Sequence, residues 1–435
     1  MRQRNRAVLF CAVFAFITAE ASSLNREEKL GETLFSDINL SVNSNQSCNT
    51  CHSLSTIKLP TEVKPGVFKL RKQAATGFVD PSNVRNGTTV AAGSLDRVFG
   101  SLNPPSISYA AFSPVFHWDG ELFIGGQFWN GRAQNLLEQA KAPFLNPLEM
   151  AMPDQWSVVE RLKKNSRYRR LFRRVYGIKL KDIQPGDDAV EVAFNAMAQA
   201  IASFERSARF NRFDSKFDYE AAGITRYNES EQRGADLFDG AAQCGLCHST
   251  EGIDGEHSPA LLTDFSYDNL GVPANPQIPG KPAFDSGLLS NPNLAITRGA
   301  ASSLDEVEGR QKVMSLRNIA LTPPYMHNGV FKTLAEVVHF YNTRDVLAQC
   351  TEPGDATHPG FGRDCWPKGE FHDTRNTVEL GNLGLSPQDE SDLVAYLETF
   401  TDNYPLWGNR HGLRDTNVPR YSPSPFADYP VPALP

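Results

Sequence analysis

Two five-residue strings, Cys48-Asn49-Thr50-Cys51-His52 and Cys244-Gly245-Leu246-Cys247-His248, constrain this chain more than any other feature. Each has the C-x-x-C-H form in which two thiols bond covalently to porphyrin vinyl groups and the adjacent imidazole ligates the iron. The chain is therefore expected to carry two covalent haem c groups, with His52 and His248 as iron ligands. A structural zinc site built from two Cys pairs is the competing chemistry, but such pairs usually share one small module. Here nearly half of the protein separates them.

The N-terminus agrees with that chemistry. Arg2, Arg4 and Arg6 precede an apolar run from Ala7 to Thr18, and Ala19-Glu20-Ala21 puts small residues at both cleavage positions of a secretory signal. The run is too short to span a bilayer, so residues 1–21 read as a signal peptide that takes Cys11 with it. No other segment approaches a membrane span. Because haem c is attached outside the cytoplasmic membrane, a bacterial periplasm is the expected address. Loss of three arginines and one glutamate takes the formal charge from −7 to −9. Such a surface disfavours nucleic acid and suits a basic or dipolar redox partner.

Four of the seven cysteines belong to the haem strings and one to the signal, leaving Cys350 and Cys365. An oxidising compartment favours a disulfide between them, and two unpaired thiols are the alternative.

At 435 residues the chain suits two domains rather than one small cytochrome. A weak repeat supports the division. Leu30-Gly31-Glu32-Thr33-Leu34-Phe35 precedes the first string and Arg233-Gly234-Ala235-Asp236-Leu237-Phe238 the second, each with Gly followed three and four residues later by Leu-Phe. The units also end alike. Val192, Ala193, Ala196, Met197, Ala200, Ile201 and Phe204 fall at helical spacing, as do Leu393, Val394, Tyr396, Leu397 and Phe400. Ser386, Pro387 and Asp389 mark the start of the second closing helix. The expected fold is all-α: two cytochrome c-like haem domains in tandem with long haem-wrapping loops, residues 22–215 and 216–415, then a Pro-rich extended tail, 416–435. Residues 57–95 read as a long loop.

A haem iron already held by His transfers electrons if its other axial position is filled and activates peroxide if that position is open. Candidates lie between the strings: Gly126-Gln127-Phe128-Trp129-Asn130-Gly131-Arg132-Ala133, Leu137-Glu138-Gln139-Ala140 and Asn146-Pro147-Leu148-Glu149-Met150. These resemble the Phe-Trp-Asp-Gly-Arg, Glu-Gln-Ala and Glu-Met motifs of the bacterial dihaem cytochrome c peroxidases and their MauG-type relatives. Ser315-Leu316-Arg317-Asn318, Thr322-Pro323-Pro324-Tyr325-Met326-His327-Asn328-Gly329 and Thr333-Leu334 match the second-domain signature of the same superfamily. The match runs in order from about Leu30 to Asp402.

The resemblance makes the first haem the peroxide site, with Glu149 and Gln139 on its distal side. Cleaving an oxygen-oxygen bond needs a group that takes a proton from one oxygen and returns it to the other, and a desolvated carboxylate can serve. Gln139 would orient peroxide. Taken singly, both residues would read as solvated helix positions; the motif reverses that. Trp129 would lie between the haems as an electron relay, and as a packed core aromatic it could serve both ends. Asn130 replaces the family Asp. In peroxidases that need reductive activation a His caps the resting first iron, yet Asp96 to Asn103 holds no His, and His117 is the nearest substitute. Fourteen residues after His327, where such peroxidases place an axial Met, stands Tyr341, as in MauG-type enzymes. A phenolate would lower the second haem's potential. Tyr341 ranks above Met314 and Met326 as ligand. The family's calcium site would fall on Asn103, Thr322 and Pro324, whose oxygens suit that ion.

The resemblance implies a peroxidase reducing hydrogen peroxide with electrons from a small c-type cytochrome or cupredoxin. A second reading is a MauG-like enzyme that uses a high-valent state to oxidise a partner protein or other substrate. A third is a non-catalytic electron-transfer cytochrome, against which Gln139 and Glu149 argue.

Overall fold

A computed structural model describes residues 24–434 apart from 56–57, 65–66, 73–75, 87, 256, 281, 299–303, 408–414, 416 and 419–421. The expected signal peptide and Cys11 lie outside the described residues. The long helices are Arg26–Phe35, Leu136–Leu145, Gln155–Lys164, Ser166–Tyr176, Asp188–Glu205, Glu229–Asp239, Leu334–Thr343 and Pro387–Glu398. Their starts are written in the sequence: Asn25, Asn228, Thr333 and Ser386 each cap a helix whose third residue is acidic and reaches back to the cap.

The repeated Gly has a structural reason. The helix Arg26–Phe35 packs on Asp188–Glu205, and Glu229–Asp239 packs on Pro387–Glu398. A Cβ at Gly31 would overlap the Ala200 carbonyl oxygen and one at Gly234 the Asp392 carbonyl oxygen, so each pair of helices meets backbone to backbone. The aromatic residue of each repeat then turns inward. Phe35 meets Phe204 edge-on at 5.5 Å between centroids, and Phe238 meets Tyr396 at 5.4 Å. Gly31→Ala or Gly234→Ala is expected to cost about 1–3 kcal/mol through overpacking, read as a lower denaturation midpoint at unchanged slope.

Two apolar cores follow. One gathers buried side chains from Leu30 to Phe210, and the other from Phe217 to Phe400. Between them Arg317 is fully buried against Asp218, its Nη1 2.6 Å from Oδ2, with the Tyr109, Phe213 and Phe217 rings around its guanidinium.

Some expectations are corrected. The chain is helix-rich, yet the described residues include four short two-stranded ladders where long loops fold back and pair their backbones. The stretch read as a loop from 57 to 95 holds the antiparallel strands Lys58–Lys64 and Val67–Lys72 and a helix, Pro81–Asn86. Its Gly, Asn and Ser content marked the turns and hid the pairing. Val192 is exposed, whereas Phe194 and Ala198 are buried, because the helix Asp188–Glu205 is covered by three helices rather than along one stripe. The Pro-rich end is irregular but not free: Phe426, Tyr429 and Val431 pack on the Tyr109, Phe112 and Phe213 cluster. Arg206 donates to the Pro432 carbonyl, and the Tyr429 hydroxyl to Asp254. Cys350 and Cys365 form a disulfide. No helix among the described residues is long and apolar enough to cross a membrane.

Candidate active site

The two C-x-x-C-H strings are built alike. Cys48–Cys51 forms a single helical turn capped by Ser47, and Cys244–Leu246 a shorter turn; each follows the inward aromatic of its repeat. His52 Nδ1 lies 3.3 Å from the Phe78 carbonyl oxygen and His248 Nδ1 2.9 Å from that of Leu262. A carbonyl can only accept, so each Nδ1 carries the proton and each Nε2 keeps its lone pair for a metal. Burial holds both imidazoles neutral, lowering His52 to about 4 and His248 below its ordinary value. All four string cysteines are unbridged. Burial pushes the Cys244 and Cys247 thiols up to about 12 and those of Cys48 and Cys51 higher still. The two Cys pairs sit against separate apolar cores, and among the described residues they join no common metal cluster, which disfavours a shared zinc site.

The second string opens on a cavity of about 1460 Å³, mouth included, with mostly apolar walls. Cys244, Cys247 and His248 line it, as do Trp129, Lys312, Met314, Met326, His327 and Tyr341. Size, apolarity, two thiols and a prepared imidazole fit a covalent haem. Tyr341 adds a sharper test. Burial raises its pKa well above the ordinary range, and its hydroxyl takes no hydrogen-bond partner among the described residues. Tyr341 is half-buried and lines the cavity that holds His248, so its hydroxyl is placed to meet a group bound there. Met314 and Met326 share the cavity, but a thioether needs no such partner.

Around the first string the acid-base candidates are in place. Glu149 lies close enough to Cys48 and Cys51 to raise both thiols. Desolvation raises its own pKa, against the pull of the Asn146 amide, 2.6 Å from Oε1, and of the Arg132 guanidinium. Gln139 stands on the helix Leu136–Leu145, one turn before Pro143, whose carbonyl accepts from the Met150 amide. Its Oε1 is buried without a partner, an acceptor held ready for a donor that the protein does not supply. His117 is exposed on the His117–Trp118 strand, its Nδ1 2.8 Å from the Val115 carbonyl. It does not replace the missing cap.

Trp129 connects the two sides. Its indole N–H donates to the Asn103 carbonyl at 2.9 Å, its carbonyl accepts from Lys312, and its ring meets His327 edge-on at 6.3 Å. Asn130 now has a reason: its Nδ2 donates to Ser290 Oγ at 2.8 Å, and that hydroxyl already donates to Gly287. An Asp could not make this bond. Asn103 and Pro324 come together, but as Asn103 Nδ2 donating to the Pro324 carbonyl at 2.8 Å. Thr322 sits on the same loop and donates to Ile319. A cation there needs the Asn103 amide turned to present oxygen.

Two neighbours of the site, Lys312 and Glu205, were not singled out from the sequence, and His327 was singled out only as a motif residue. Lys312 is buried with no carboxylate partner, donates to Ser113 Oγ at 2.5 Å and lines the second cavity; burial lowers it to about 7. Glu205 is buried beside Cys48 with Oε2 unpartnered, and desolvation raises it to about 8. His327 pairs with Glu370 at 2.9 Å. Lys312 and Glu205 carried no motif signal, whereas His327 stood inside a quoted one.

These features fit a c-type protein with two haem sites and a carboxyl of raised pKa near the first string. The family model described as di-haem cytochrome c peroxidase matches residues 25–226. The methylamine utilization protein MauG of Paracoccus denitrificans is 36% identical over 380 residues, 86% of this chain and 88% of its own length. The cytochrome c551 peroxidase of Nitrosomonas europaea is 29% identical over 318 residues, 71% of each protein. The solved diheme peroxidase BthA of Burkholderia thailandensis superposes with a TM-score of 0.67 at 25% identity, covering 88% of each chain. The chain belongs to the di-haem cytochrome c peroxidase and MauG family, and it is an oxidoreductase.

Proposed function

We propose that this protein is a periplasmic two-domain enzyme that binds haem at Cys48, Cys51 and His52 and at Cys244, Cys247 and His248, and acts on hydrogen peroxide at the first. The haems, when bound, supply one-electron chemistry and peroxide activation. The chain supplies the rest. Glu149 takes a proton from one peroxide oxygen and returns it to the other, and Gln139 Oε1 accepts from the bound peroxide. Trp129, wedged between Asn103, His327 and the second cavity, relays electrons. Asn103, Thr322 and Pro324 would hold calcium at the junction between residues 22–215 and 216–415. The observation that carries this reading is Glu149, a half-buried carboxyl with raised pKa within electrostatic reach of the Cys48 and Cys51 thiols.

In the first form of the reaction a small cytochrome or cupredoxin is the electron donor and hydrogen peroxide is reduced to water, with Cys244, Cys247 and His248 holding the haem that would accept those electrons. One observation favours a second form, in which a partner protein is oxidised in the MauG manner: the unpartnered Tyr341 hydroxyl in the His248 cavity. Were Tyr341 to ligate a haem held by His248, its phenolate would lower that group's potential and favour storage of oxidising equivalents there. Tyr341→Met is expected to raise the second haem's potential by on the order of 0.1–0.3 V, part of the roughly 0.8 V that axial ligands span. A spectroelectrochemical titration that does not move removes Tyr341 from the iron. The two forms separate in turnover: the first consumes reduced small cytochrome rapidly, while the second does so poorly although peroxide reacts at once.

A further inference from the structure

The acidity of this protein is unevenly spread. From Arg161 to Lys181 the sequence carries ten arginines and lysines and no carboxylate, in a chain of net charge −7. Five of the arginines fall on the helix Ser166–Tyr176. Some of the ten are used internally: Arg161 binds the Asn39 and Val42 carbonyls, Lys163 that of Ile183, Arg169 those of Lys163 and Lys164. Lys164 pairs with Glu160 at 3.0 Å. Arg170, Arg173, Arg174, Lys179 and Lys181 are exposed, with no ion pair among the described residues. Arg170 stands three and four residues before Arg173 and Arg174, so like charges repel along one helix face and disfavour the helix. The helix C-terminus favours Arg173 and Arg174, but no carboxylate among the described residues pairs with any of the five.

We infer that this cationic face docks an acidic protein. Arginine forks match carboxylates and phosphates in bidentate pairs, and the net charge of −7 disfavours a polyphosphate partner, which leaves a protein carboxylate surface. The apolar side of the helix is already spent. Tyr168 and Phe172 are buried, and Leu171 and Val175 pack on the first core, so no apolar residue is free to enter a bilayer. The rest of the chain carries a net negative charge, which favours approach of an acidic partner from this side. The face lies on the first-string half, where Arg161 and Arg167 hold residues 33–44 just before Cys48. This is separate from the exposed Leu246 at the second string. The inference stands whichever form of the reaction holds.

The test uses the haem-loaded protein and plastocyanin, a strongly acidic cupredoxin, titrated by calorimetry at about 10 mM and about 150 mM ionic strength, where the screening length falls from about 30 Å to about 8 Å. The wild type is expected to bind at low salt and to weaken steeply with salt. Arg170→Glu with Arg173→Glu and Arg174→Glu is expected to bind at least about tenfold more weakly, with a flattened salt dependence. The neutral set Arg170→Gln, Arg173→Gln and Arg174→Gln, which relieves the repulsion within the helix, should fall between. Reversal elsewhere, Arg226→Glu with Arg363→Glu and Lys368→Glu, should leave binding as in the wild type. The proposal is overturned if the wild type does not bind plastocyanin, if the three-arginine sets bind it unchanged, or if phosphatidylglycerol vesicles or duplex DNA bind through this face and plastocyanin does not.

Discussion

Replacing Glu149 by Gln is expected to slow peroxide consumption by about 10²–10⁴-fold while both haems remain attached. Gln keeps the size and the contact with Asn146 but can neither take nor return a proton. The pH profile gives the sharper reading. Glu149 must begin as the carboxylate to take the first proton, and desolvation holds its pKa above the usual carboxylate range. Activity should therefore rise with pH as Glu149 ionises and fall toward acid. In the Glu149→Gln variant that limb should vanish. Arg132→Ala should move the same limb to higher pH, because the guanidinium favours the charged form of Glu149. Unchanged kinetics and an unchanged acid limb in Glu149→Gln would remove this residue from the chemistry.

The second large effect concerns the fold. Arg317→Met is expected to cost about 3–5 kcal/mol, because it leaves the Asp218 carboxylate buried without its cation. The geometry explains the size. Both side chains are fully buried, and Arg317 also donates from Nε and Nη2 to the Ala260 carbonyl, which would lose its donors. Asp218 accepts from the Ser215 amide and hydroxyl, so the damage reaches the start of the helix Lys216–Ala221. Arg317→Lys should recover only part of the loss, since an ammonium cannot bridge Asp218 and Ala260 as the fork does. Denaturant unfolding of the haem-loaded protein measures both. A loss below about 1 kcal/mol would mean that this buried pair does not hold the junction.

How much of this was legible in the sequence depends on how local the signal was. The haem strings, the caps at Ser386 and Thr333 and the Gly-Leu-Phe repeat are short patterns with direct physical meaning, and the structure gives each its reason. Gly31 and Gly234 were visible as a repeat, but the backbone contact that requires glycine was not. Tyr341 was visible by counting from His327; its unpartnered hydroxyl needed three dimensions. Arg317 and Asn318 stood inside a quoted motif, yet their roles depend on Asp218 and Asp402, far away in sequence. Glu205 followed an apolar helix and looked like its polar end. It is buried within electrostatic reach of Cys48. The cationic run was hidden by the net charge, which averages an acidic body with a basic pole. The hairpin within 57–95 was missed because Gly and Asn mark turns without saying which strands they join.

No histidine stands in Asp96 to Asn103 and His117 is on the surface, so the proposed first haem, with Glu149 and Gln139 near it, is expected to be open. Rapid mixing of the purified, fully oxidised protein with stoichiometric hydrogen peroxide, followed through the haem absorption bands, tests it most directly. The account predicts a prompt spectral change without prior reduction. A spectrum that stays unchanged until one electron has been added would contradict it, because some other ligand would then close the first iron in the resting protein.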